Sequence, residues 1–264
     1  MAHDPVPFTP VDEAQIAEAI PAATLVLFRD SAAGPPELLI VERARAMVFA
    51  GGALVFPGGR IDPEDYALAS VHAPDDDYGA ARIAAIRETI EEAGIAVGLS
   101  PIPNATQLAD LRRGLHAGEP FGALLAGHGL TLDLAALIAF ARWRPAHAHM
   151  RIFDTLFFLA ALPDDAPDPI VDATENSRVF WMSAQGVIDE ADAGRAAIIF
   201  PTRRNLERLA QFDSFTEAVA HARDHPVTVV TPWVETRDGE TLLCIPEGLG
   251  YPVTTEAMDA AMRG

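Results

Sequence analysis

Three things are scarce in this chain. It has a single cysteine, Cys244, which excludes an internal disulfide and any zinc site built from cysteines. No uninterrupted apolar run reaches the roughly 18 residues that a bilayer-spanning helix needs. Positive charge is the third scarcity: 19 basic residues face 38 acidic ones, a formal charge of −19. Such a surface repels nucleic acid and anionic membranes, so neither is an expected partner. An anionic substrate would need a metal ion or a local group of arginines to overcome that field. The opening "MAHDPVPFTPVDEA" has neither a basic start nor an apolar core, so no signal peptide is expected. The lone cysteine fits a reducing compartment, and a cytoplasmic protein is expected. Repeats and low-complexity segments are also lacking.

What is present is a chain of 264 residues, half of them in the hydrophobic class. That suits one domain spanning residues 1–264 with a substantial insertion. Ala22–Phe28 and Leu38–Arg43 read as two strands of a hairpin around "SAAGPPE". A short strand lies between the double glycines of "FAGGALVFPGG", and "IDPEDYALASVHAPDDDYG" reads as an acidic loop. Helical periodicity runs from Gly79 to Gly94, a good C-cap residue. Two further helices are expected over Asn104–His116 and Leu130–Arg142, forming a helical insertion at about 103–145. Arg151–Leu162 and Ser177–Ser183 read as strands. Helices are expected from Pro201 and over Ser214–Arg223, and a terminal hairpin turns around "RDG". Strands and helices mix without regular βαβ alternation, which predicts an α/β protein with a mixed sheet.

The helix ending at Gly94 breaks local rules. Glu88, Glu91 and Glu92 sit in its last two turns, where the helix dipole disfavours negative charge by roughly 0.3–1 kcal/mol each. At about 100° per residue, Ile83, Ile86 and Ile90 form one stripe, and the three glutamates spread over roughly a 100° arc opposite it. Ala81, Ala84 and Ala85 lie on the carboxylate side and leave room for another backbone, for which "FPGG" is the natural candidate. Arg87 can pair with Glu91 at i to i+4. Converging carboxylates are stable when protonated or when they share cations. Oxygen ligands without histidine or cysteine point to Mg2+ or Mn2+.

These residues resemble the box of the Nudix hydrolases, G-x5-E-x7-R-E-U-x-E-E-x-G-U, where U is aliphatic. Gly58 and Glu64 match its first half, and Arg87 to Ile95 match the second, with Thr89 at an aliphatic position. Glu64 and Arg87 are separated by 22 residues instead of seven, an insertion of 15. An interrupted box resembles the coenzyme A diphosphatase-like branch. A coenzyme A signature, L-L-T-K-R-[SA]-x3-R-x3-G-x3-F-P-G-G, also registers at Leu39, Arg43, Ala44, Gly52 and Phe56 to Gly59. Val41, Glu42 and Val48 replace its threonine, lysine and arginine.

The resemblance implies a Nudix α/β/α sandwich with a helical insertion and extra C-terminal helices. It implies a Mg2+- or Mn2+-dependent diphosphatase acting on a nucleotide-type small molecule such as coenzyme A or an acyl-coenzyme A. ADP-ribose, NADH, or an idle ligand-sensing domain stand as alternatives. Glu88, Glu91, Glu92 and the Gly59 carbonyl would hold metal, and Arg87 would position the glutamates. Glu91 would otherwise orient the attacking water, and Glu175 is the candidate general base. Arg43, Arg45, Arg203 and Arg204 are expected at the substrate's phosphates, the last two because anions bind at helix N-termini. A homodimer is left open.

Overall fold

The computed structural model describes residues 19–31, 34–44, 50–145, 152–172 and 174–258. Strand β1 (Ile20–Arg29) turns into β2 (Glu37–Arg43), the expected antiparallel hairpin. Short strands β3 (Leu54–Val55) and β4 (Gly58–Arg60) follow, then helices α1 (Pro63–His72) and α2 (Gly79–Ala93). After β5 (Leu99–Ser100) come α3 (Ala105–His116), α4 (Phe121–His128) and β6 (Thr131–Leu132). The chain re-enters the main sheet through β7 (Ile138–Trp143) and β8 (Phe153–Ala161). Strand β9 (Asn176–Ser183) leads into α5 (Ala184–Asp192), α6 (Phe200–Leu209), α7 (Phe215–Asp224) and β10 (Val229–Val230). A separate antiparallel sheet closes the described chain with β11 (Trp233–Arg237), β12 (Glu240–Cys244) and β13 (Thr255–Ala257).

Among the described residues, eight strands make the main sheet, in the order β10-β7-β8-β1-β2-β3, with β4 also on β1 and β9 also on β2. The pairs β1–β8 and β10–β7 are parallel and the rest antiparallel, so the sheet is mixed as expected. Side chains alternate across a strand, and β1 uses both faces. Ala23, Leu25 and Leu27 pack with Ile83, Ile86 and Ile90 of α2 and Leu111 of α3. Val26 and Phe28 pack on the other side with Val187 of α5, Leu206 and Leu209 of α6 and Ala218 of α7. A strand buried on both faces reads as a continuous apolar run, which is why "AATLVLF" was legible. The result is an α/β/α sandwich.

Three local expectations fail. The acidic stretch after Gly59 is not all loop, because α1 occupies Pro63–His72. Proline suits the first turn, and the Asp62 N–H donates to Asp65 Oδ2 at 2.9 Å, one half of a capping box. Leu130–Arg142 is not a helix. Its first part is β6 and a 3-10 turn at Leu134–Ala136, and Ile138–Trp143 is claimed by the ladder to β8. Tertiary pairing overrides the helix preference of this leucine- and alanine-rich run. The second helix of the insertion is instead α4, which stops at Gly129 in the left-handed conformation. Helix α5, capped by the Ser183 hydroxyl accepting from the Gly186 N–H at 3.1 Å, also went unread.

Candidate active site

Helix α2 lies against β4, and glycine makes the approach feasible. A Cβ on Gly59 would sit 2.3 Å from Glu88 Oε1, and one on Gly58 would sit 2.4 Å from the Ala23 carbonyl oxygen. The first contact would push the Glu88 carboxylate of α2 out of place, and the second would push β4 off β1. With both glycines in place, the Gly58 N–H donates to Glu92 Oε2 at 3.0 Å.

Arg87 organises the carboxylates. Its Nη1 donates to Glu88 Oε1 at 2.8 Å and Glu91 Oε1 at 3.1 Å. On its other side, Nε and Nη2 donate to the two oxygens of Asp65 at 3.2 and 2.9 Å, and Nη2 also reaches the Arg60 carbonyl at 2.9 Å. A planar guanidinium held by such a fork cannot swing. Burial pulls the Arg87 pKa down, but Asp65 and Glu88 outweigh it, so the net movement is up.

Asp65 was missed in the sequence, although its place three residues after Asp62 is a capping signal. It is 1 % exposed and anchors Arg87 from within the insertion. Glu64 faces elsewhere and accepts a 3.3 Å bond from the Gly122 N–H of α4. The insertion inside the box therefore folds as a helix, and its Asp65, not Glu64, meets the arginine.

The glutamates are short of positive charge. Burial, partly offset by Arg87 and reinforced by Glu91, pushes the Glu88 carboxyl up to about 7. Burial and then Glu88 push Glu92 up to about 8, against the Gly58 N–H, the Asn176 side chain and Arg43. These groups border a cleft of about 670 Å³, a volume that suits a cofactor-sized ligand. Among the described residues, six carboxyl groups line it (Asp62, Glu88, Glu91, Glu92, Asp172 and Glu175) against the guanidiniums of Arg43, Arg60 and Arg87.

Such a donor set fits a hard divalent cation, since it offers clustered oxygen and an uncompensated negative balance. The side chains are not preassembled around one: among the described residues, no group of three His, Cys, Asp or Glu is arranged to hold a metal ion. Glu88 and Glu91 are turned to Arg87, and Glu92 to Gly58.

Other expected residues divide. Arg43 lines the cleft, with its Nε buried and without a hydrogen-bond partner among the described residues. Glu175 lines it too, its carbonyl accepting from the Ala44 N–H at 2.8 Å. Arg45 lies outside the described residues. Arg203 and Arg204 are not brought to the site. Arg203 donates to Asp192 at 2.7 Å, and Arg204, 1 % exposed, pairs with Glu207 at 2.8 Å and Glu256 at 3.2 Å. Only Pro201 and Thr202 of that helix reach the cleft wall. Arg60, His116 and Asp172 border the cleft without having been singled out in the sequence.

No family model matches the chain. It is 29% identical over 177 residues to a Caenorhabditis elegans protein that carries the name nudix hydrolase 7, a match covering 66% of this chain and 56% of that protein. It is 25% identical over 254 residues to an acyl-coenzyme A diphosphatase of Gallus gallus, covering 75% of this chain and 67% of the relative. The chain thus spans little more than half the length of the worm relative. Among solved structures, a NUDIX hydrolase from Alicyclobacillus acidocaldarius superposes with a TM-score of 0.68 at 28% identity, covering 77% of this chain and 96% of that one. In sequence and in architecture, with the glutamate-bearing helix packed under its glycine loop, the chain resembles the Nudix hydrolases.

Proposed function

We propose that the chain is a Mg2+- or Mn2+-dependent Nudix hydrolase that cleaves the diphosphate linkage of a nucleoside diphosphate derivative. The observation that carries this reading is the glutamate cluster of α2, with Glu88 and Glu91 on Arg87 and Glu92 on the Gly58 N–H, at the edge of the cleft. The described residues bring six carboxyl groups and three guanidiniums to the cleft, a balance that would repel a diphosphate unless cations entered with it. Glu88, Glu92 and the Gly59 carbonyl would hold a divalent cation, with Glu91 as a further ligand. Bound there, the cation neutralises phosphate charge, polarises phosphorus and acidifies water.

The chain's own residues have separate tasks. Arg87 keeps the carboxylates from turning away, since Asp65 fixes its far side. Arg43 meets a phosphate oxygen with a guanidinium whose Nε has no hydrogen-bond partner among the described residues. Glu175 takes the proton as water attacks phosphorus and the anhydride P–O bond breaks.

Coenzyme A or an acyl-coenzyme A is the first substrate to test, supported by the name of the Gallus gallus relative and by Arg43, Gly52 and Phe56 to Gly59 of the signature. A second reading, ADP-ribose or NADH, is favoured by Glu42. It stands where that signature has lysine, and it pairs with Arg178 at 3.4 Å. Product release from a panel of these substrates, with each metal, tests both. Release of adenosine 3′,5′-bisphosphate and 4′-phosphopantetheine selects coenzyme A; AMP release selects the second. Nucleotide binding without turnover of any substrate would identify an idle sensing domain instead.

A further inference from the structure

Helix α2 must end immediately after Glu91 and Glu92, with its negative pole beside them and no basic residue in its last turn. Its last four carbonyls are nonetheless all bonded. Gly94 N–H donates to Ile90 at 3.0 Å, Arg112 Nε to Glu91 at 3.0 Å, Asp172 N–H to Glu92 at 3.0 Å and Ile170 N–H to Ala93 at 2.8 Å. Three of these donors come from outside the helix, and Arg112 is the only side chain and the only cation among them. It belongs to α3, in the helical insertion, and its half-buried guanidinium also attracts Asp172. A Cβ on Gly94 would come within 3.3 Å of Arg112 Nη1, so the left-handed cap residue leaves the space that the guanidinium occupies.

We infer that Arg112 is a positioning residue. By holding the Glu91 carbonyl, it fixes the last turn of α2, and through the Glu92 carbonyl of that turn, which accepts from the Asp172 N–H, it steadies the segment that leads from Asp172 to Glu175. This rests on the reading that Glu91 and Glu92 serve a bound cation. The insertion is then part of the active-site scaffold, because the turn that aims two of the three glutamates is tied to α3 by one guanidinium. His116, one turn further along α3, borders the same cleft.

Mn2+ binding to the full chain, followed by electron paramagnetic resonance, tests this alongside steady-state kinetics on the best substrate. Arg112→Met should weaken Mn2+ about tenfold and lower kcat comparably, as loss of a group supporting metal ligands does, with KM within twofold. Arg112→Lys, which keeps a cationic donor, should recover most of both. Arg113→Met, on the exposed face of the same helix, should change neither. If Arg112→Met does not fold, Arg112→Gln provides the reading.

Wild-type Mn2+ affinity and kcat in the Arg112 variant, with or without a lower melting temperature, would overturn the inference. A parallel Glu92→Gln titration separates the failures. If Glu92→Gln loses Mn2+ and Arg112→Met does not, only the Arg112 assignment is wrong. If Glu92→Gln binds Mn2+ like wild type, the cation reading itself is wrong.

Discussion

Helices α2 and α6 both bury charge, and they do it in opposite ways. Helix α2 holds Glu88 and Glu91 on Arg87 and Glu92 on the Gly58 N–H at the edge of a cleft, where the described residues leave negative charge in excess. Helix α6 turns Arg204 and Arg208 into the other core, where each finds a partner. Arg204 meets Glu207 and Glu256, and Arg208 donates to the Phe140 carbonyl at 3.1 Å and lies over the Phe140 and Tyr251 rings. Both helices rely on arginine, and the sequence contains no lysine at all. A guanidinium stays charged when buried and presents a fixed fork. An acidic cluster open to a cleft can take up a ligand, whereas arginines sealed in a core against carboxylates, a carbonyl and aromatic rings are architecture. The two look alike as strings of letters.

The comparison breaks most decisively at Glu92. Glu92→Gln should lower turnover by at least about 100-fold in steady-state assays, because under the proposed function it removes a direct cation ligand, where even supporting groups cost 10- to 100-fold. The fold should persist by circular dichroism. Arg204→Met should do the reverse. Leaving half-buried Glu256 without its cation, and Glu207 with Arg203 alone, should cost about 2 kcal/mol in denaturant unfolding. Activity per folded molecule should stay unchanged. Loss of substrate affinity at full stability in that variant would return Arg204 to the active site.

A third contrast lies in pH. Glu88 and Glu92 have folded-state values raised to about 7 and 8. The folded, metal-free protein therefore binds more protons than the unfolded chain between the ordinary carboxylate value and those values. Its stability should fall as pH rises through that window. Melting curves without divalent cation should shift down from pH 5 to pH 8, and Glu92→Gln should flatten the trend. On the α6 side the sign reverses, with a smaller effect. Burial, then Arg208, then His225 lower His221 to about 4, so it folds as the neutral ring. Its contribution is present above the ordinary histidine value and is lost as pH falls towards 4. His221→Gln should lessen that acid-side loss, measured with Mg2+ present and absent.

How far the sequence revealed these regions follows from the range of each interaction. Helix α2 was legible because the Ile83, Ile86 and Ile90 stripe and the Gly94 stop are local signals. Its close approach to "FPGG" was legible because small residues faced the carboxylates. Asp65 was hidden because it acts on Arg87 across 22 positions, through a helix whose acidic sequence reads as loop. Leu130–Arg142 was misread because a run of leucine and alanine carries helix preference while its actual partner, β8, is remote in sequence. Arg203 and Arg204 were misread for a similar reason. Their position near a helix start suggested an anion site, but Asp192, Glu207 and Glu256 fold against them.

The most direct test is a crystal grown or soaked with Mn2+ and read by anomalous scattering. Expected is a peak bonded to Glu88, Glu92 and the Gly59 carbonyl, with Arg87 still on Asp65. A map with no peak there, and with Glu88 and Glu91 still turned to Arg87, would contradict the claim that this acidic turn exists to hold a cation.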